Sequence, residues 1–233
     1  MKNKNVFENK NILIGVVIAV AVILISVGIM AVTGMFNRFN PTEYVEAMLD
    51  QTLKGEVSSA VEMTDASEDV LKENYRVGIE SFVEGSILNG IPADDELKAK
   101  YVDVCKKLFS DMKYEVKGVK ELDGGFEVTV QYQATDIFAK YTDAIAEETK
   151  RLYEKADDGE YRGTLDEVNA QMQKEFIENS FALFEASYKN MEFGEKESMS
   201  FVIAKDESGL YKIQEGQIAE FIKKIMNLDA KQD

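Results

Sequence analysis

Tyr114 to Asp136, YEVKGVKELDGGFEVTVQYQATD, decides how this chain is to be read. In its second half Phe126, Val128, Val130 and Tyr132 fall at every second position, with Glu127, Thr129 and Gln131 between them. Successive strand side chains point to opposite faces, so this pattern makes one apolar face and one wet face. The half before it, from Lys113 to Leu122, alternates more weakly through Tyr114, Val116 and Val119. Asp123-Gly124-Gly125 joins the halves with residues that tolerate turn backbone. The stretch is predicted to be an antiparallel hairpin half-exposed to water.

On either side of it the apolar period is near 3.6. Asn40-Pro41-Thr42-Glu43 starts a helix with a capping side chain and a proline at the first position, and Tyr44, Val45, Met48, Leu49 and Leu53 form its stripe up to Gly55. A short helix around 56–63 is followed by one capped at Asp65, with Val70, Leu71, Tyr75, Ile79, Phe82 and Val83 inward, and by another over 94–112 with Leu97, Tyr101, Val104, Cys105 and Leu108 inward. After the hairpin, Asp136 opens a helix with Ile137, Phe138, Tyr141, Ile145 and Leu152, and Thr164-Leu-Asp-Glu167 is a capping box for a longer one running to about Asn190. A second strand pair is expected at 197–205 and 210–214, turning at Asp206-Glu-Ser-Gly209, before a last amphipathic helix through Ile218, Phe221, Ile222 and Ile225. The expected fold class is α+β: two antiparallel hairpins packed with helices, with a helical pair over 136–190 inserted between them.

The N-terminal part is of another kind. From Ile12 to Phe36 no residue carries a formal charge. A helix of that length reaches roughly 37 Å, enough to cross a hydrocarbon core of about 30 Å with some tilt. Lys2, Lys4 and Lys10 precede it, against Glu8 alone, so residues 1–11 are expected to be a cytoplasmic tail and residues 37–233 an extracytoplasmic domain. A cleaved signal peptide is the competing reading, but its apolar core would be about 7–15 residues long. The lipid bilayer is thus an expected partner through residues 12–36, in a single-pass signal-anchor arrangement.

Subtracting Lys2, Lys4, Lys10, Arg38 and Glu8 from 27 basic and 43 acidic residues leaves 23 basic and 42 acidic, a net charge of −19 for the outer part. Such a surface disfavours nucleic acid and anionic lipid headgroups by repulsion, and no nucleic-acid partner is expected. With no histidine and one cysteine, Cys105, the chain has no Ser-His-Asp or Cys-His pair, no imidazole metal site and no intrachain disulfide. Cys105 shares a helix face with Tyr101, Leu108 and Phe109 and is read as a buried small hydrophobe.

The order of these elements is itself recognisable. PTEYVEAML and KGE in the first helix and its end, the hairpin quoted above, and the strand DESGLYKI before a final amphipathic helix resemble membrane-anchored proteins and lipoproteins of clostridia-type Gram-positive bacteria. Their domains look like the nuclear-transport-factor-2-like, or cystatin-like, cone superfamily. That resemblance implies a curved, cone-like antiparallel sheet wrapped around helices, with a pocket at its open end. The inserted pair at 136–190 departs from the pattern. No active site is carried over by it.

If the cone holds a ligand, its lining would come from Tyr114, Phe126, Val128, Tyr132, Phe201 and Tyr211, with the tyrosine hydroxyls as polar handles on an apolar wall. Plain core is the competing reading of the same spacing. Asp157, Asp158 and Glu160 are weak candidates for a divalent cation, since the spacing around Gly159 fails the calcium-loop pattern at Ala156 and Leu165. No phosphate-cradling loop or dinucleotide fingerprint is present, and no cofactor is expected. The expected function is a membrane-anchored, non-enzymatic binding domain for a membrane-proximal protein, a cell-wall component or a small ligand. The alternatives are a cone-fold enzyme with a buried carboxylate as general base and a structural accessory subunit of a membrane complex.

Overall fold

A computed structural model describes residues 39–64, 66–89, 91–207 and 209–228. The tail 1–11 and the expected span 12–36 lie outside the described residues, and among the described residues no helix is long and apolar enough to cross a membrane. The elements are α1 (Pro41–Lys54), α2 (Ser58–Met63), α3 (Glu68–Phe82) running into a π-helical turn (Val83–Ile87), α4 (Asp95–Ser110), β1 (Lys113–Leu122), β2 (Gly125–Thr135), α5 (Ile137–Asp157), α6 (Leu165–Lys189), β3 (Phe193–Lys205), β4 (Tyr211–Ile213) and α7 (Gln217–Ile225).

The fold is α+β, with a four-stranded sheet in the order β1-β2-β3-β4, every neighbour antiparallel. The two expected hairpins therefore share one sheet, because β3 returns from the helical pair to lie along β2 from Gly125↔Ala204 to Thr135↔Phe193. Val128, Val130, Tyr132, Met199, Phe201 and Ile203 are buried on one face. The weak alternation of β1 has a local cause: a bulge between Val116 and Gly118 puts Val116 opposite Val130 and Val119 opposite Val128, on the same face although three positions apart.

α1 is the central helix. Asn40 Oδ1 accepts from the Thr42 and Glu43 amides at its start, and Gly55, at φ +70°, ends it. Nine of its 14 residues are buried, which marks a helix enclosed on most sides rather than an amphipathic surface helix. It packs on β1 and β2 and also against α2, α3 and α4. Beyond it the helical part has its own aromatic core, where Phe82 meets Phe109 and Phe138, and Phe184 meets Tyr101 and Tyr141. Cys105 is fully buried there with Tyr101, Leu108 and Phe109.

Several boundaries differ from the sequence reading, each for a physical reason. The cap of α3 is Ser67, whose hydroxyl accepts from the Val70 amide at 3.4 Å, while the expected cap, Asp65, lies outside the described residues; Val70, expected inward, is 51% exposed in the first turn, beside the buried Leu71. β3 begins at Phe193 rather than at Glu197, because its first residues are held by backbone pairing with β2 while Gly194 to Ser198 stay exposed and show no apolar period. Asp136 stands at the N-cap of α5 without capping it: its carboxylate accepts from the Glu192 amide at 2.7 Å and pairs with Lys140 at 2.8 Å, closing the exit of β2 onto the entry of β3. The Thr164–Glu167 capping box of α6 is present in full.

Candidate functional site

The six candidate lining residues lie on or beside the inner face of the sheet. Val128 and Phe201 have no exposed surface and Tyr132 has 3%. Phe221 of α7 fits among them, its ring 5.4 Å from Tyr132, 5.5 Å from Phe201 and 6.1 Å from Tyr114. α7 reaches this position because Gln217 at its start bonds the β3 backbone beyond the short β4, accepting from the Val202 amide at 2.8 Å and donating to the Ser200 carbonyl at 3.3 Å.

The tyrosines of this set have defined partners. Tyr114 donates to Asp50 Oδ1 at 2.5 Å, and Lys54, which pairs with Asp50 at 2.7 Å, stands 4.8 Å over the Tyr114 ring. Burial first, and the adjacent Asp50 carboxylate second, push the Tyr114 phenol well above its ordinary value. Tyr132 donates to Glu197 at 3.1 Å and is pushed up to about 12, again by burial and then by the carboxylate. Phe126 and Tyr211 meet at the other end of the sheet, 5.4 Å apart, where Phe39 stacks on Tyr211 at 4.4 Å and 11° and touches Phe126 and Tyr44. The six residues thus divide between a packed centre and an aromatic cluster around the first described residue.

Asp157, Asp158 and Glu160 are all exposed at the end of α5. Glu160 pairs with Lys155 at 3.5 Å, and among the described residues no three His, Cys, Asp or Glu side chains group in a way that could hold a metal ion. The structured charge of this region lies one turn inward. Arg151 bridges Glu148 and Glu175 at 2.7 and 2.6 Å, Lys155 reaches Glu175 at 2.9 Å, Tyr161 donates to Glu175 at 2.6 Å and Asn179 donates to Glu148 at 2.8 Å. The hydrogen bonds from Tyr161, Lys155 and Arg151 hold the Glu175 carboxyl down at about 2, and Arg151 lowers that of Glu148. This network clasps α5 to α6.

The sequence reading passed over the opposite face of the sheet. There Lys113, Glu115, Gln131, Gln133 and Lys196 surround a shallow concavity of about 130 Å³, floored by β1 and β2 at Tyr114 and Tyr132. Lys113 stands 4.0 Å over the Phe193 ring and Gln133 donates to the Gly194 carbonyl at 2.8 Å, so two of these side chains are held in place. The signal was present as the polar half of the alternation, which marks a wet face without saying whether anything binds it.

No protein-family model matches the chain, and no curated protein matches it. Among solved structures it is similar to one described as a candidate lipoprotein, ycdA, of Bacillus subtilis, at 14% identity and a TM-score of 0.49, over 79% of this chain and 55% of that one.

Proposed function

We propose that the protein is a single-pass membrane protein whose α+β domain is an extracytoplasmic, non-enzymatic binding module for a membrane-proximal protein or cell-wall partner. The observation that carries this reading is the placement of Phe221: it takes the space among Tyr114, Tyr132 and Phe201 where a small ligand would sit. Recognition then falls to the outer face, where Lys113, Glu115, Gln131, Gln133 and Lys196 present both charges and amides on a rigid strand pair. A four-stranded antiparallel sheet with α1 and α7 packed on it supports this reading. The enzyme reading asks for a buried carboxylate with a raised pKa, whereas Glu148, 7% exposed, is paired with Arg151 and lowered.

The test is site-specific photo-crosslinking in intact cells. A photoreactive residue replacing Gln131 in the full chain is expected to give a discrete adduct. The same residue replacing Lys174, on the exposed side of α6, is expected to give none. Absence of an adduct from position 131 would sink the assignment of this face.

A further inference from the structure

Phe39 is the first described residue, three positions beyond the last residue of the uncharged stretch 12–36, and it is already part of the folded domain. Its ring stacks on Tyr211 at 4.4 Å and 11°, and lies 5.7 Å from Phe126 and 5.5 Å from Tyr44. Asn40 then caps α1. Three residues reach at most about 11 Å, so no free linker separates the uncharged stretch from the domain.

The place of Phe39 in the sheet gives the domain a near end and a far end. Phe126 follows the turn at Asp123-Gly124, and Tyr211, paired with Lys205, follows the connection in which the Asp206 amide donates to the Leu210 carbonyl and the Gly209 amide to the Asp206 carbonyl. Both turns lie at the Phe39 end. α1 starts there beside Phe39 and ends at the other, where Asp50 and Lys54 meet Tyr114. The polar face residues Lys113, Gln133 and Lys196 are cross-strand neighbours at that second end. From Gly125 to Gln133 the strand covers eight steps, roughly 27 Å.

We infer that the Asp123-Gly124 turn and the β3–β4 connection at Asp206 and Gly209 face the bilayer, and that the Phe39–Tyr211–Phe126 cluster sets this orientation, holding the Lys113/Gln133/Lys196 end away from the membrane. The near end exposes both charges, Glu121, Asp123 and Glu207 beside Lys120 and Lys205, a mixture that a zwitterionic headgroup zone can pair and an anionic one would repel. Leu122 is 37% exposed, Lys212 neutralises Asp206 at 2.5 Å, and Lys205 stands 5.0 Å over the Tyr211 ring. This inference rests on the membrane-anchor reading of residues 12–36.

The test uses the full chain in phosphatidylcholine vesicles, with Asp123→Cys or Lys196→Cys carrying a thiol-linked fluorophore. Cys105, with no exposed surface, takes no label in the folded protein. With lipids that carry a quencher at the headgroup, the label at position 123 is expected to lose most of its emission and the label at 196 to keep it. Phe39→Ala, with the domain still folded by circular dichroism, is expected to erase the difference. Equal quenching at both positions, or stronger quenching at 196, overturns the orientation while leaving the anchor intact. A protein that does not float with the vesicles overturns the anchor, and the orientation with it.

Discussion

The phenol of Tyr114 donates to Asp50 Oδ1 across 2.5 Å, joining edge strand β1 to the central helix α1 through side chains 64 residues apart in the chain. Asp50 keeps Lys54 when the phenol is removed. Tyr114→Phe is therefore expected to cost about 1–2 kcal/mol rather than the full penalty of a stranded charge, read as a lower urea midpoint with an unchanged slope. The Tyr114 phenol is raised in the folded state, so its contribution is complete below the ordinary tyrosine value and fades as pH rises past it. Alkaline titration of phenolate absorbance is expected to show a delayed, unfolding-linked step that Tyr114→Phe diminishes.

Glu175 makes the opposite pH prediction. Its folded value near 2 lies below that of an unfolded chain, so the clasp between α5 and α6 is fully present above about pH 4.5 and weakens as pH falls toward 2. A quarter of the side chain is exposed, which limits the effect to about 1 kcal/mol. Glu175→Gln is expected to flatten the loss of thermal stability between pH 5 and pH 3; an unchanged acid profile would remove the clasp from the account.

Neighbouring glycines at the first hairpin turn are expected to behave differently. A Cβ on Gly125 would stand 2.1 Å from the Ile203 carbonyl oxygen, so Gly125→Ala forces β2 from β3 and is expected to cost about 1–3 kcal/mol or more. A Cβ on Gly124 meets nothing within 4 Å, and only its φ of +83° opposes a side chain, so Gly124→Ala is expected to cost about 1 kcal/mol. Paired thermal melts check the order.

Cys105 is expected to be inert. Burial alone pushes its thiol far above the ordinary value, leaving no thiolate to react. Maleimide is expected to modify it only when denaturant is present, and rapid modification of the folded chain would contradict the packing around it.

The short connection to Phe39 gives a functional prediction. A long flexible Gly/Ser insertion at Asn37 is expected to leave the fold unchanged and to abolish the crosslink from position 131. Retention of the crosslink would show that the tether only localises the domain.

Local pattern alone carried much of this protein. The alternation from Phe126 to Tyr132, the Asn40 and Thr164 caps and the stripes of α1, α4 and α7 are short-range signals, and the structure bears them out because each is enforced by backbone geometry within a few residues. The bulge at Val116/Gly118, the early start of β3 and the joining of two hairpins into one sheet were not legible, since each depends on a partner strand distant in the chain. The candidate site divides in the same way. Spacing placed Tyr114, Tyr132 and Phe201 on one apolar face, but spacing is blind to Phe221, a residue on the last helix that fills the space among them. Tertiary packing alone brought Phe39 onto Tyr211, because an aromatic stack joins residues by shape and burial and leaves no period in the sequence.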